Sequence, residues 1–218
     1  MTRVLIIDGH PDDGRLISHL ISVYQAALPA GTEVDLVRVR DAGYAPNLKR
    51  GFAGEQPWEP ALIRIAEQVR QCDHLVVAFP LWWGAEPARL KGLIDRLLMP
   101  GFAFRYRKNS AMWDKLLQGR SADVIITMDT PPWYLRMFWK DPAGQRWRHQ
   151  ILEFCGFKPV RIFEFGMVRR GGVKRSLKRW ERTLQKAAAE VVTLKRGPKR
   201  DAIFTKDAFQ AAMDNRKS

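Results

Sequence analysis

The chain predicts an α/β fold, a parallel sheet of five strands covered on both faces by helices. Short apolar runs rich in β-branched residues alternate along the 218 residues with segments of helical period. Those runs are apolar at successive positions, as strands buried on both faces require, and right-handed crossovers then put helices on either side. The 46% apolar content over 218 residues suffices for one core without a second domain. The expected division is a domain over residues 1–196 and a basic tail over 197–218, set off by Gly197-Pro198.

Residues 4–8 read as strand one, and Leu16, Leu20, Val23 and Ala27 then recur at the spacing of helix one. Strand two covers 34–39, helix two 60–71 and strand three 75–79. Helix three, 88–98, has Pro87 at its start, where a missing N–H costs nothing. Strand four is 122–127, a helix ends near Gly156, strand five is 159–165, and Gly171-Gly172 precedes a last long helix. The total is five strands and five helices. Segments 41–59 and 100–119 read as non-regular insertions, the second with the basic aromatic string Phe102, Phe104, Arg105, Tyr106, Arg107.

Composition excludes several classes. The longest uncharged apolar runs are strand-length, short of the roughly 20 residues of a membrane span, and Met1-Thr2-Arg3 leads straight into a strand, so neither a signal peptide nor a transmembrane helix is expected. Cys72 and Cys155 are too few for a disulfide framework and lack metal-ligand spacing, which points to a reducing cytoplasm. The formal net charge is +14, of which residues 167–218 carry +10. Such a field attracts nucleic acid, anionic membranes or phosphorylated cofactors. The same residues, interleaved with Trp180, Leu184, Ala187 and Val191, equally describe the solvated face of one amphipathic helix, and no motif for a specific nucleic acid is present.

Two loops follow strands. Gly9-His10-Pro11-Asp12-Asp13-Gly14-Arg15 lies where strand one meets helix one, so free N–H groups at the helix start could hold a phosphate, with His10 and Arg15 as further donors. Asp12 and Asp13 would repel an anion unless they turn outward or cap the helix. After strand three, Pro80-Leu81-Trp82-Trp83-Gly84 offers a flat indole wall suited to a planar cofactor, or caps the core.

The block Phe79-Pro80-Leu81-Trp82-Trp83, continued by residues 87–98 and by Gly101-Phe102-Ala103-Phe104, resembles the flavin-dependent NAD(P)H:quinone oxidoreductases, the DT-diaphorase-like branch of the flavodoxin-like fold. Gly9-His10-Pro11 and Phe154-Cys155-Gly156-Phe157 are further echoes. The resemblance implies a three-layer sandwich with sheet order 2-1-3-4-5, noncovalent FMN or FAD, NAD(P)H as donor, a quinone or similar electrophile as acceptor, and a homodimer with active sites at its interface. It assigns the flavin phosphate to His10 and the backbone of Arg15, Leu16 and Ile17, and the isoalloxazine ring to Pro80, Leu81, Trp82, Trp83 and Gly84. Thr127, Asp129 and Thr130 fall where the family's strand-four loop meets the far edge of the ring, and Tyr134 matches the tyrosine near the flavin carbonyl. Arg15 replaces a serine hydroxyl, Met128-Asp129-Thr130 replaces Thr-Gly-Gly, and the histidine that partners the tyrosine has no counterpart in residues 131–143.

Two other readings stand beside this one. His10-Pro11-Asp12-Asp13 resembles the zinc motif of PIG-L-type deacetylases, with His10 and Asp13 as ligands and Asp12 as base, but a third ligand is not evident. A non-catalytic flavodoxin-like binding module would use the basic helix alone. The aromatic segment 131–140, flanked by cations, has the composition of an active-site lid or of an anchor at an anionic membrane.

Overall fold

In the computed structural model, which describes residues 1–49, 51 and 56–199, five parallel strands form one sheet in the order β2-β1-β3-β6-β7. They are β1 (Arg3–Asp8), β2 (Glu33–Arg38), β3 (His74–Pro80), β6 (Ser121–Thr127) and β7 (Val160–Phe165), and β4 (Phe104–Tyr106) and β5 (Trp113–Lys115) make a separate antiparallel pair. The order is the expected one. β3 and β6 are buried at every position, which is why their sequences run apolar without alternation. At the edge, β2 is only half covered and carries Glu33, Asp35 and Arg38.

The helices are α1 (Leu16–Ala26), α2 (Pro60–Gln71), α3 (Ala88–Leu97), α4 (Pro132–Trp139), α5 (Pro142–Gln145), α6 (Glu153–Cys155) and α7 (Val173–Ala189). A π-helical stretch, Arg146–Leu152, joins α5 to α6. One face of the sheet, with Val4, Ile6, Val76, Ala78 and Ile125, is sealed by α1 and α7 through Ile17, Leu20, Trp180 and Leu184. The other face, with Leu5, Val77, Phe79, Val124 and Ile126, packs against α2, α3 and the α5–α6 run through Leu62, Leu93 and Trp147. Each buried Leu or Ile contributes roughly 1.5–3 kcal/mol. The basic residues of α7 alternate with this buried stripe, so most lie on its solvent side, as the helical spacing predicts.

Three expectations need correction. Segment 100–119 is not irregular throughout: Phe104-Arg105-Tyr106 has strand period and pairs with β5, and Trp113 stacks on Phe154 at 4.5 Å. Segment 131–140 is a helix, started by Pro132 and ended by Lys140 in the left-handed region. With it, the described residues hold seven α-helical segments rather than five. The chain is also not loose directly after Gly197-Pro198, because Lys199 pairs with Asp73 at 2.6 Å and donates to Gln71 O at 2.9 Å. Residues 200–218 of the expected tail lie outside the described residues.

Candidate functional site

β1 and β3 are neighbours whose following loops depart to opposite faces, because β2 lies on one side of β1 and β6 on the far side of β3. A crevice opens at such a reversal, beyond the carboxyl ends of the strands. Here it has a volume of ≈ 360 Å³. The β1 loop and α1 contribute His10, Arg15, Leu16 and Ile17, the β3 loop contributes Pro80, Leu81 and Trp82, and the β6 loop contributes Thr127, Met128 and Asp129. Val168 and Arg169, after β7, close the fourth side.

The start of α1 is unsatisfied. Arg15 is its N-cap and makes no side-chain capping bond, so the first-turn N–H groups of Leu16, Ile17 and Ser18 have no intrahelical acceptor. Ser18 Oγ is buried without a partner. The acidic residues that would repel an anion are turned away and neutralised. Asp12 accepts from Arg15 Nε at 2.7 Å and Asp13 from Arg40 at 2.6 Å. Buried Asp8, at the end of β1, accepts from Arg40 at 2.9 Å and from the His10 amide at 3.0 Å. His10 Nδ1 lies 3.0 Å from both the amide N and the carbonyl O of Asp12, contacts that either neutral tautomer makes. Desolvation holds the ring below the ordinary imidazole value despite Asp12 and Asp8, so His10 is a neutral donor at pH 7.

The wall is aromatic. Trp82 is 45% exposed and meets the His10 ring edge-on at 5.7 Å. Trp82 and Ala85 exchange backbone bonds of 2.8 and 3.0 Å around a two-residue turn, with φ of 52° at Trp83 and 77° at Gly84. Left-handed backbone at a tryptophan is uncommon, and the turn projects Trp83 fully into solvent, at 104% exposure. Opposite, Asp129 Oδ1 accepts from the Arg169 amide at 2.9 Å and Oδ2 lies 3.4 Å from Arg169 Nε. The carboxylate that the sequence sets beside a planar ligand is therefore charge-compensated.

Of the residues singled out from sequence, nine line the crevice together: His10, Arg15, Leu16, Ile17, Pro80, Leu81, Trp82, Thr127 and Asp129. Trp83 and Gly84 form the turn beside it, and Thr130 follows its lip. Tyr134 lies on α4 in an aromatic cluster, 4.6 Å from Phe138 and 5.6 Å from Trp139, apart from the lining residues. Sequence reasoning missed Met128, Val168 and Arg169. The rule that pointed to the other strand ends, applied to strand five, finds the last two. His10 and Asp13 do not form a metal centre with a third ligand, for among the described residues no group of three His, Cys, Asp or Glu side chains could hold one. Nor is any helix among them long and apolar enough to cross a membrane.

A family model described as Flavodoxin_2, flavodoxin-like fold, matches residues 2–191. The chain is 30% identical over 136 residues to the uncharacterized NAD(P)H oxidoreductase YcaK of Escherichia coli (strain K12), covering 56% of this chain and 68% of that protein. It is 38% identical over 73 residues to the FMN-dependent NADH:quinone oxidoreductase of Ruegeria pomeroyi, covering 34% of this chain and only 35% of that protein. The crystal structure of Smu.1420 from Streptococcus mutans UA159 superposes with a TM-score of 0.74 at 26% identity, covering 86% of this chain and 99% of that one.

Proposed function

Because this chain belongs to the flavodoxin-like fold family Flavodoxin_2, we propose that it is a flavin-dependent NAD(P)H oxidoreductase that reduces a quinone or a similar electrophile. The observation that carries this reading is the meeting, in one crevice, of an uncapped helix start, two side-chain donors and a half-exposed indole. The residues fit a flavin. A phosphate would take the Leu16 and Ile17 amides, the Arg15 guanidinium and the His10 ring. Pro80, Leu81 and Trp82 would flank the ring. The Ruegeria pomeroyi protein carries FMN, NADH and quinone in its name, which supports the cofactor, the donor and the acceptor class.

When bound, a flavin accepts hydride from a nicotinamide and passes it to an acceptor, so the protein itself needs to position and polarise. The amides of Asp129 and Thr130 follow β6 with no acceptor among the described residues and would stabilise negative charge at the ring's far edge. Leu81 donates to Thr127 O at 2.7 Å, which fixes the two loops relative to one another. Tyr134, five residues after Asp129, is assigned to the acceptor side of the site. The exposed side chains of Trp83, Trp133, Met137, Phe138 and Trp139 give a second copy of the chain its apolar contact, completing the site in a homodimer. Peripheral binding to an anionic membrane is the competing use of this face. Flotation with anionic liposomes at low salt, beside sedimentation of the free protein, separates the two.

The test of the main reading is the absorbance spectrum of the purified protein before and after adding FMN or FAD, with released cofactor identified by chromatography and NAD(P)H-dependent quinone reduction then measured. Stoichiometric flavin with turnover is expected. A protein that stays colourless and binds neither flavin overturns the proposal.

A further inference from the structure

A second cavity, of ≈ 470 Å³, lies at the opposite edge of the sheet, where β6 and β7 begin. A strand of six or seven residues spans roughly 20 Å, so this cavity is about that far from the crevice and shares no residue with it. Its walls are the turn before β6 (Gln118, Gly119), the turn before β7 (Gly156, Phe157, Lys158) and a strap of residues 195–198 that follows α7.

The strap is fastened by two of its three nearby cations. Arg196 donates to Ser121 Oγ at 2.8 Å and also to Val191 O, and Lys199 is held by Asp73 and Gln71 O. The backbone of Pro198 and Lys199 passes so near Gly119 that a Cβ there would come within 2.4–2.6 Å of it. The strap is thus seated as a fixed wall. The remaining cation, Lys195, lines the cavity with Lys115 and Lys158, and none of these three ammonium groups has a hydrogen-bond or ion-pair partner among the described residues. One carboxylate, Glu153, also lines the cavity, but it is engaged by His149 at 2.7 Å. Arg120, buried behind, holds the turn in place by donating to Gln118 O at 2.9 Å and to Val69 O at 3.1 Å.

Three lysines against one carboxylate, lining a cavity within the usual size range for small-molecule sites, favour an anion. Lysines act as rotatable point charges and are common phosphate binders. We propose that this cavity is a phosphate-recognition site for a phosphorylated small molecule, separate from the crevice at the other edge.

The test uses the full chain saturated with FMN, so that the crevice is filled. Lysine acetylation by a water-soluble reagent is followed by mass spectrometry with and without pyrophosphate, and with AMP in a parallel arm. Selective protection of Lys115, Lys158 and Lys195, several-fold beyond that of Lys178 and Lys186 on α7, is expected. AMP protection beyond that by pyrophosphate identifies a phosphomonoester with an organic body, and the reverse a bare polyphosphate group. In equilibrium dialysis, Lys115→Gln combined with Lys158→Gln should weaken binding by at least tenfold while FMN content stays unchanged. Equal protection of all lysines, no protection, or binding unaffected by the double substitution overturns the proposal.

Discussion

The two edges of the sheet treat their polar groups in opposite ways. At the amino-terminal edge, Asp123 on β6 is fully buried, yet it accepts from Tyr24 at 2.6 Å and from Arg161 twice at 2.7 Å, with His74 at 3.3 Å. His74 Nδ1 lies 2.8 Å from Ser121 Oγ, and Arg161 also bonds Glu190 and Ala187 O. Within this network the polar groups are spent on one another. At the carboxyl-terminal edge the α1 start is uncapped, the Asp129 and Thr130 amides have no acceptor among the described residues, and an indole stands in solvent. A buried polar group costs little only when it is paired. The closed network therefore serves stability, and the open one is arranged for a ligand.

The largest effect expected from this contrast is on the closed side. Asp123→Ala leaves Arg161 without its main partner, and breaking such a buried pair costs about 3–5 kcal/mol. Chemical denaturation should show that loss, while the protein that remains folded keeps its flavin stoichiometry. An equal loss of flavin affinity would break the comparison, because it would mean that the two edges are coupled.

On the open side the expected effects are reversed. Arg15→Ala and His10→Ala should each weaken flavin binding by roughly 10- to 100-fold, the worth of a charge-assisted or well-placed hydrogen bond to phosphate. Arg15 is exposed and paired only with exposed Asp12, so its removal should change stability by no more than about 0.5 kcal/mol. Fluorescence titration with FMN and thermal melting of the apoprotein measure the two quantities separately.

Acid should act on both edges from the same pH downward, because His10 at the crevice and His74 in the network are both held below the ordinary imidazole value. Burial holds His74 below the ordinary value of 6.5, outweighing Asp123, which favours its charged form, with Arg161 and Arg196 adding to the depression. Burial alone would raise Asp123, but the bonds from His74 and Arg161 keep it below 3.8. In both cases the unfolded chain binds protons more readily, so stability is full above pH 6.5 and declines as pH falls. The His74 contribution is lost below 6.5 and the Asp123 contribution below 3.8. His74→Gln should flatten the first decline in a series of denaturation midpoints, and an unchanged profile would remove His74 as its source.

Much of this contrast is legible in the residues. The parallel sheet and the crevice follow from apolar runs such as 75–79 and from the loops after them, because burial on two faces writes itself into composition, while the strand order comes from the family resemblance. The polar network was not legible: Asp123 sits in a run otherwise read as apolar, and its partners Tyr24 and Arg161 are 99 and 38 residues away. The strand-end rule reaches Arg169, but its tie to Asp129 was not legible, since it spans 40 residues and no local period marks it. Local patterns report which face is buried, and only the fold reports which distant charges meet there.

The smallest predicted effect isolates the charged pair whose two members, Asp129 and Arg169, both line the open site. Asp129→Asn keeps an Oδ1 acceptor for the Arg169 amide and so preserves the loop, but it removes a negative charge and leaves the Arg169 guanidinium uncompensated. A flavin ring gains negative charge on reduction, so its potential in this variant should rise. Arg169→Ala exposes the Asp129 carboxylate instead and should lower it. Exposed pairs are worth about 0.2–1 kcal/mol, which for a two-electron couple corresponds to shifts of about 5–20 mV. Potentiometric titration of both variants against the parent measures them. Opposite signs would place the pair beside the ring, whereas two null results would mean that Asp129 and Arg169 serve only to tie the β6 and β7 loops together.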